Sequence, residues 1–438
     1  MNMVARSYKM QWFSKHNISL LLLLYLAASE MLGEYAFWII LVLSAAYYIA
    51  VHRGKLKIRS PLSTNVLFVM IAIGLWGTLF SITASGQTVK AWPFLRDIIR
   101  ISTVPLTCLL CTMLSENAQK KKSVLYTTLF FFCSVYGIGS MLISIPNYMM
   151  TSQSLFNFAG NLIDQWVAAV GLFLGFCRPP CIDKYYISKK FDSVAKLGLA
   201  ILVVISFSRT AFVLLLCLIL PFYYNKLGKF IKTALAILIA LFFVWNMFPD
   251  IASTFMNKVT RSFTEMSSSN AAWDDGSIVN NWRGYEVYCA QKQFSAYNMV
   301  EKVIGRGFGA TVDANGYARL VTSEDSLPYL HNGYYTTLIK MGVAGVFFNF
   351  VYWIALYIER KKRLERYEKK NCIGLIAAMA SSMLAIHGIF WGGGAVYSVL
   401  ALGLGILIVS VFSCDICLCP YVVGISNGIL TAGKQKFI

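Results

Sequence analysis

Long apolar stretches alternate with short basic stretches along most of the 438-residue chain. Each apolar stretch is close to the roughly 20 residues that a helix needs to cross a ~30 Å hydrocarbon layer. Because backbone groups inside lipid must find their hydrogen-bond partners within the segment, these stretches predict transmembrane helices. We therefore expect an all-α polytopic membrane protein.

The pattern predicts about twelve spans. The apolar run over 195–224 is interrupted by Ser208-Arg209-Thr210, and we interpret it as two short helices that meet at this triplet. Two spans there also place the basic loops before and after the run on the same side of the membrane. The other predicted spans are Ile18–Leu32, Ala36–Val51, Thr64–Thr83, Ile101–Leu114, Val124–Ile145, Asn161–Cys177, Thr233–Phe248, Tyr334–Tyr357, Ile373–Phe390 and Val396–Phe412.

The spans divide the chain into three parts. Helices one to nine occupy 1–248, a polar loop domain with helices occupies 249–330, and the last three helices occupy 331–438. The short loops rich in Lys and Arg, such as ERKKRLERYEKK at 359–370, mark the cytoplasmic side. Both termini are then cytoplasmic, and the long loop lies on the periplasmic or outer side.

Composition supports this interpretation. The chain is 57% hydrophobic and only 13% charged, whereas a soluble domain carries roughly a quarter of charged residues. The net charge of +19 comes from basic clusters between apolar runs, so we predict no nucleic-acid partner. Cys414, Cys417 and Cys419 resemble a metal-binding pair but lack a second pair, and we predict no metal and no cofactor.

Two arginines are candidates for anion binding at the outer face. Arg209 lies within an apolar run, where facing lipid at mid-bilayer costs at least about 2.5 kcal/mol. It either faces a wet cavity or an anion, or snorkels from a helix end. Arg283 follows Asn281, a good N-cap for a helix predicted over Trp282–Val300. An arginine in a first turn opposes the helix dipole, so it either grips a phosphate or is a solvated surface residue.

A histidine stands at the mouth of the tenth predicted span. His331 and Asn332 precede the apolar run, and Lys340 lies within it, about 13 Å deeper along the helix. Histidine can accept a proton near neutral pH, although a lone histidine is more often structural. Lys340 either snorkels into a cavity or binds an anion. Gly342 and Gly345 allow close helix packing, and the alternate glycines of Gly305–Gly309 predict a tight turn.

The order of these residues resembles bacterial O-antigen ligases and the related Wzy-type polymerases. His331-Asn332, followed after nine residues by Gly342 and Gly345, is similar to the family's HN-x9-GxxG motif. Ser208-Arg209-Thr210 and Arg283 resemble its two arginine positions, and Gly305–Gly309 resembles its glycine turn. The span count and the long loop agree with the same family.

The resemblance implies a metal-independent, inverting glycosyltransferase of the GT-C type. Its donor would be an oligosaccharide on undecaprenyl diphosphate. Arg209 and Arg283 would bind the diphosphate, and His331 would be the general base that deprotonates the acceptor hydroxyl. Supporting roles fall to a basic residue from an early outer loop and to polar residues near the site, with these candidates: Lys90, Arg96, Arg100, Arg306, Asn332 and Lys340.

The resemblance leaves the type of reaction open. A polymerase joins lipid-linked repeat units to one another, whereas a ligase transfers the finished polymer to lipid A-core. The sequence favours the polymerase, with the ligase as the alternative, and a sugar transporter is a third interpretation. The implied partners are the lipid-linked donor, an acceptor glycolipid and a chain-length regulator protein. The implied location is the bacterial inner membrane, with the active site at the periplasmic face.

Overall fold

The computed structural model describes residues 42, 43, 46, 62–84, 86, 89–114, 118–151, 165–178, 188–206, 208–223, 260, 273–320, 324–361, 366–385 and 387–392. This part of the chain is mostly helical, with one antiparallel pair of two-residue strands, β1 Val312–Asp313 and β2 Ser326–Leu327. Its helices are α1 Leu62–Thr83, α2 Ala91–Leu114, α3 Ala118–Thr151, α4 Gln165–Phe176, α5 Lys189–Ile205, α6 Arg209–Tyr223, α7 Asp275–Asn280, α8 Trp282–Ser295, α9 Met299–Ile304, α10 Gly333–Lys361, α11 Arg366–Ala385 and α12 Gly388–Trp391.

The helical, membrane-protein character predicted from the sequence is confirmed. Three of the described helices are long and apolar enough to cross a bilayer, over Asn65–Thr83, Leu125–Pro146 and Gly333–Glu359. Trp76, Phe347 and other large apolar side chains on these helices are exposed on the protein, which is where lipid would cover them. The predicted spans 18–32, 233–248 and 396–412, most of 36–51, and Cys414, Cys417 and Cys419 lie outside the described residues.

The local predictions succeed at one break and fail at another. As predicted, two helices meet at the Ser-Arg-Thr triplet, since α5 ends at Ile205 and α6 begins at Arg209. The single helix predicted over Trp282–Val300 is instead two helices, α8 and α9. The two helices are separate because Asn298 starts a new one. Its side chain accepts a hydrogen bond from Glu301 N, and the Glu301 side chain accepts one from Asn298 N, so the two residues cap α9. The helix α2 also begins ten residues before the predicted span, at Ala91.

The helices pack antiparallel in two main pairs. Ser63, at the start of α1, donates from its N and Oγ atoms to the carboxylate of Glu359 near the end of α10. In the second pair, Lys370 of α11 reaches the carbonyl of Phe222 on α6. His387, just after α11, lies beside His331, so the opposite ends of these four helices lie together: Thr83 of α1, His331 before α10, Arg209 of α6 and Ala385 of α11. We call this the site end of the bundle.

A second, smaller core lies in the segment between α6 and α10. Tyr285, Cys289 and Ala290 of α8 pack with Val312 and Leu327 of the strand pair. Leu330 and Ile339 belong to the same cluster, so this core continues directly onto the first turns of α10. The position of His331, between these two residues, is consequently fixed by both the loop segment and the helix.

A tight glycine turn, Gly305–Gly309, joins this segment to the bundle. The helix α10 is broken at Gly342, where φ is +63°, and the break leaves helix carbonyls without their usual partners. Arg306 N donates to the Ile339 carbonyl at 3.1 Å and Gly307 N to the Lys340 carbonyl at 2.8 Å. A β-carbon on Gly342 would lie 2.3 Å from the Val303 carbonyl oxygen. Gly342 thus packs against the segment that leads into the turn, rather than against a neighbouring membrane helix as the sequence suggested, and a β-carbon on Gly345 would meet Met341 of α10 itself.

Candidate active site

His331 is held by a buried carboxylate at the site end. Its Nδ1 lies 2.9 Å from Oε1 of Glu286, and its backbone N donates to Oε2 of the same residue at 2.8 Å. The Glu286 side chain is 3% exposed, whereas that of His331 is 37% exposed. One side of the imidazole is therefore anchored in the protein and the rest is accessible.

The sequence around Glu286 explains why it occupies this position. Asn281 caps α8 by accepting from Gly284 N, as predicted. The indole N–H of Trp282 donates to Glu286 one turn later on the same helix, and the Tyr285 ring is buried in the small core. Sequence reasoning missed Glu286, because nothing local distinguishes it from a surface glutamate until the fold brings His331 to it.

These bonds determine the tautomer of His331. The Glu286 carboxylate accepts from Trp282 Nε1, His331 N and His331 Nδ1, which suits an ionised group that can only accept. Nδ1 of His331 consequently carries a hydrogen, and Nε2 of the neutral ring keeps its lone pair. This is the arrangement that a general base requires.

A second histidine, His387, lies against the first. The two imidazole centroids are 5.4 Å apart, and His387 Nδ1 donates to the carbonyl of Leu330 at 2.8 Å. The His387 carbonyl and the Met383 side chain pack against Gly333. A β-carbon on Gly333 would lie 2.5 Å from the His387 carbonyl oxygen. The end of α11 therefore buttresses the turn that carries His331, a role that sequence reasoning did not assign to His387.

The carboxylate of Asp97 on α2 accepts hydrogen bonds from three donors. Its Oδ1 accepts from the Tyr329 hydroxyl at 2.6 Å, and its Oδ2 accepts from Lys340 Nζ at 2.6 Å and Gly309 N at 2.7 Å. Lys340 also donates to the Ala310 carbonyl at 2.7 Å. Of the two outcomes predicted for Lys340, the structure gives binding to an anion, and that anion is a carboxylate of the protein itself.

Tyr329 packs between that ion pair and two arginines. The guanidinium carbon of Arg100 lies 3.8 Å from the Tyr329 ring centroid, and that of Arg96 lies 5.1 Å from it. Burial, followed by the nearby Asp97 charge, raises the pKa of the Tyr329 hydroxyl, so it stays neutral and donates to Asp97. Arg96 also pairs with Glu324 at 3.1 Å. Arg96 and Arg100, one turn apart on α2, thus lie at the site end.

The remaining predicted residues occupy several positions around this end. Arg283 lies on α8, one turn before Glu286, and is half-buried. Arg209 begins α6 and is also half-buried. Asn332 caps α10, because its side chain accepts from Tyr334 N at 3.0 Å. Arg306 pairs with Glu301 at 3.1 Å and packs over Tyr297, and exposed Lys90 immediately precedes α2.

No group of three or more His, Cys, Asp or Glu side chains is close enough to hold a metal ion within the described ranges. The polar groups described at the site end are imidazoles, carboxylates and guanidinium groups. Such groups can accept a proton and bind an anion.

Comparison with protein families shows what this chain is similar to. Residues 194–350 match the family model for O-antigen ligases. The predicted resemblance to the O-antigen ligase and polymerase superfamily is confirmed. No curated protein matches the chain.

The family match also bears on the class of function. O-antigen ligase family members are glycosyltransferase-like enzymes that act on polyprenyl-linked sugars, and the match over 194–350 supports a function of the ligase or polymerase type in general. The matched segment contains Arg209, Arg283, Glu286 and His331. The matched segment spans 194–350. Four residues of the site lie outside that segment: Asp97, Arg96, Arg100 and His387.

Proposed function

We propose that this protein polymerises oligosaccharide repeat units carried on undecaprenyl diphosphate. The observation that carries the proposal is the Glu286–His331 pair, in which a buried carboxylate bonds Nδ1 while the imidazole side chain is 37% exposed. General-base assistance of this kind contributes about 10²- to 10⁴-fold to a rate.

In the proposed reaction, His331 Nε2 takes the proton of an acceptor sugar hydroxyl as its oxygen attacks the anomeric carbon of the donor. The bond between that carbon and the diphosphate oxygen breaks, and undecaprenyl diphosphate leaves with the electron pair. Attack from the face opposite the leaving group inverts the anomeric configuration. Glu286 stabilises the imidazolium that forms, because its negative charge lies beside Nδ1.

Arg209 and Arg283 are the proposed ligands of the diphosphate. Charge on the leaving oxygen grows as the bond breaks, and fixed guanidinium groups stabilise it. Arg283 lies one turn from Glu286 on α8, and Arg209 lies at the same end of the bundle as His331. We assign the supporting role of the early outer loop to Arg96 and Arg100, which pack against Tyr329 at that end.

The second candidate is an O-antigen ligase, which the description of the matched family favours. Deleting the gene in the host bacterium separates the two. Loss of a polymerase leaves lipopolysaccharide core capped by a single repeat unit. Loss of a ligase leaves bare core while long chains accumulate on undecaprenyl diphosphate. In either case we propose the inner membrane as the location, both termini in the cytoplasm and the site at the periplasmic face.

A biochemical test uses the purified protein with a lipid-linked repeat unit. Product should form without nucleotide or an ion gradient, which a transporter requires and a transferase does not. A polymerase also needs no lipid A-core, whereas a ligase does. Absence of any new glycosidic bond both without and with added lipid A-core would contradict both proposals. Co-purification with a chain-length regulator protein tests the remaining partner.

A further inference from the structure

A separate pocket opens in the small core, beside the site but not containing His331. Its volume is about 490 Å³, which is within the usual range for small-molecule sites. The last turns of α8 form one wall, and the end of the glycine turn with the strand pair forms the other. The proposed function gives this pocket no role.

About half of the pocket's lining is polar. Gln293, Thr311, Asn315 and Ser326 contribute neutral amide and hydroxyl groups. These side chains both donate and accept hydrogen bonds. Hydroxyl and amide oxygens carry two lone pairs, so these groups can accept from ligand hydroxyls while bonded within the wall, and the lining suits a polar, uncharged ligand.

The charged groups of the pocket argue against a diphosphate as its main ligand. Lys292 and Arg306 supply two positive charges and Asp313 one negative charge. Arg306 is already paired with Glu301, so the positive charge left for a ligand is small. Carboxylate, ammonium and amide groups together are the set that binds sugar hydroxyls in several orientations.

Internal hydrogen bonds hold the pocket in shape. Gln293 Nε2 donates to the Thr311 carbonyl at 3.0 Å, and Gln293 Oε1 accepts from Asp313 N at 3.2 Å. Ser326 Oγ donates to Thr311 Oγ1 at 2.9 Å. These bonds tie α8 to both strands. A preformed pocket costs a ligand less ordering entropy than one that must assemble on binding.

The pocket and the candidate site share two structural elements. Gln293 lies seven residues after Glu286 on α8, which is about 10 Å along the helix axis. On the other wall, Ala310 lines the pocket while its carbonyl binds Lys340. An oligosaccharide of a few sugar units reaching from His331 along α8 would enter this pocket.

We propose that this pocket is a saccharide-binding subsite, which holds sugar units of a lipid-linked substrate beyond the unit that reacts. The inference rests on the proposed glycosyl transfer, to which it adds the means of gripping the carbohydrate part. The same chemistry would serve the acceptor chain or the donor chain. Kinetics with the concentration of each varied separately distinguishes these two sources.

The test fills the pocket without touching its hydrogen bonds. Ala296→Trp places a large side chain at an exposed lining position whose backbone is helical, with φ −77° and ψ −8°. Ser295→Trp, on the neighbouring residue that does not line the pocket, is the matched control. Lys292→Ala, with Lys302→Ala as its control, removes a lining charge in a variant that adds no bulk.

The probe is the lipid-free repeat-unit oligosaccharide, released by mild acid from the lipid-linked repeat unit of the host bacterium. Binding to the purified full-length protein is followed by saturation-transfer NMR. We expect Ala296→Trp to weaken binding about tenfold or more and to raise KM for one lipid-linked substrate. The two control variants should match the unchanged protein.

The outcomes separate the subsite from the catalytic proposal. If Ala296→Trp and Lys292→Ala bind the oligosaccharide and turn over like the unchanged protein, the subsite is overturned while the transferase stands. If the unchanged protein binds the oligosaccharide but forms no glycosidic bond, the transferase fails and the pocket is retained as a carbohydrate site. If it binds no oligosaccharide yet transfers sugar, the subsite is again overturned.

Discussion

The imidazole of His331 and the carboxylate of Glu286 meet at 2.9 Å, although 44 residues separate them in sequence between the start of α8 and the start of α10. The same carboxylate also accepts from the His331 backbone. The Glu286 side chain thus holds both the ring and the main chain of His331. The catalytic proposal therefore depends on these two residues together.

Replacing His331 tests the proposed base directly. For His331→Ala we expect transfer to fall by about 10²- to 10⁴-fold, because no other group described at the site end takes the proton in the proposed step. The measurement is product formation from lipid-linked repeat units at equal protein amounts. His52→Ala, which alters a histidine in a predicted cytoplasmic loop, should retain full activity. A His331→Ala protein that polymerises normally would remove the base from the mechanism.

Glu286→Gln tests the tautomer argument. A glutamine can donate to Nδ1 instead of accepting from it, which places the hydrogen on Nε2 and abolishes its basicity. We expect a loss on the order of 10²-fold or more. The unfolding temperature should be compared in parallel, since the amide still fills the same space. Unchanged activity would show that the carboxylate does not set the protonation of the ring.

The buried pair of Asp97 and Lys340 should dominate local stability. Both side chains are 1% exposed, and leaving one charge there unpaired costs about 3–5 kcal/mol. Asp97→Asn and Lys340→Met should each lower the unfolding temperature in detergent. Their combination should cost less than the sum of the two. The control is Asp325→Asn, which breaks the Arg319–Asp325 pair at an exposed position and should have little effect.

Gly342→Ala should destabilise the site end. The new β-carbon would meet the Val303 carbonyl at 2.3 Å, and φ of +63° is unfavourable for any side chain. Gly139→Ala on α3 is the matched control, because a β-carbon there meets no atom within 4 Å. Thermal unfolding and transfer activity should both fall for the first variant only. Equal unfolding temperatures for the two would contradict the described break in α10.

The two arginines should affect donor binding more than the proton transfer. For Arg209→Ala or Arg283→Ala we expect transfer to fall about 10- to 100-fold, the value of one or two charged hydrogen bonds. Lysine variants keep the charge but lose the planar fork, so they should recover only part of the activity. Arg319→Ala, at an exposed position, provides the comparison. A fall in that variant of similar size would indicate a general charge effect.

The sequence predicted what depends on local pattern. Apolar runs identified the helices, the Ser-Arg-Thr triplet identified the joint between α5 and α6, and Asn281 identified the start of α8. Each of these features follows from a few neighbouring residues. The break between α8 and α9 could also have been predicted from the sequence, since Asn298 and Glu301 have the spacing of a capping box.

Local sequence patterns could not predict the contacts between residues that are far apart in the chain. Asp97 is paired with a lysine 243 positions later, and His387 reaches a carbonyl 57 positions earlier. Neither residue has a local pattern that distinguishes it from an ordinary aspartate or histidine. The double role of Gly342, which breaks one helix and receives the turn at Val303–Gly305, likewise depends on two segments meeting.

The seating of the glycine turn on α10 also has a consequence for biosynthesis. Residues 305–309 leave the ribosome before the helix whose carbonyls they will bind at Ile339 and Lys340. The turn therefore cannot acquire its final partners until the later helix has been synthesised and inserted. This part of the protein is completed in reverse, with a downstream helix supplying the partners of a segment that was synthesised earlier.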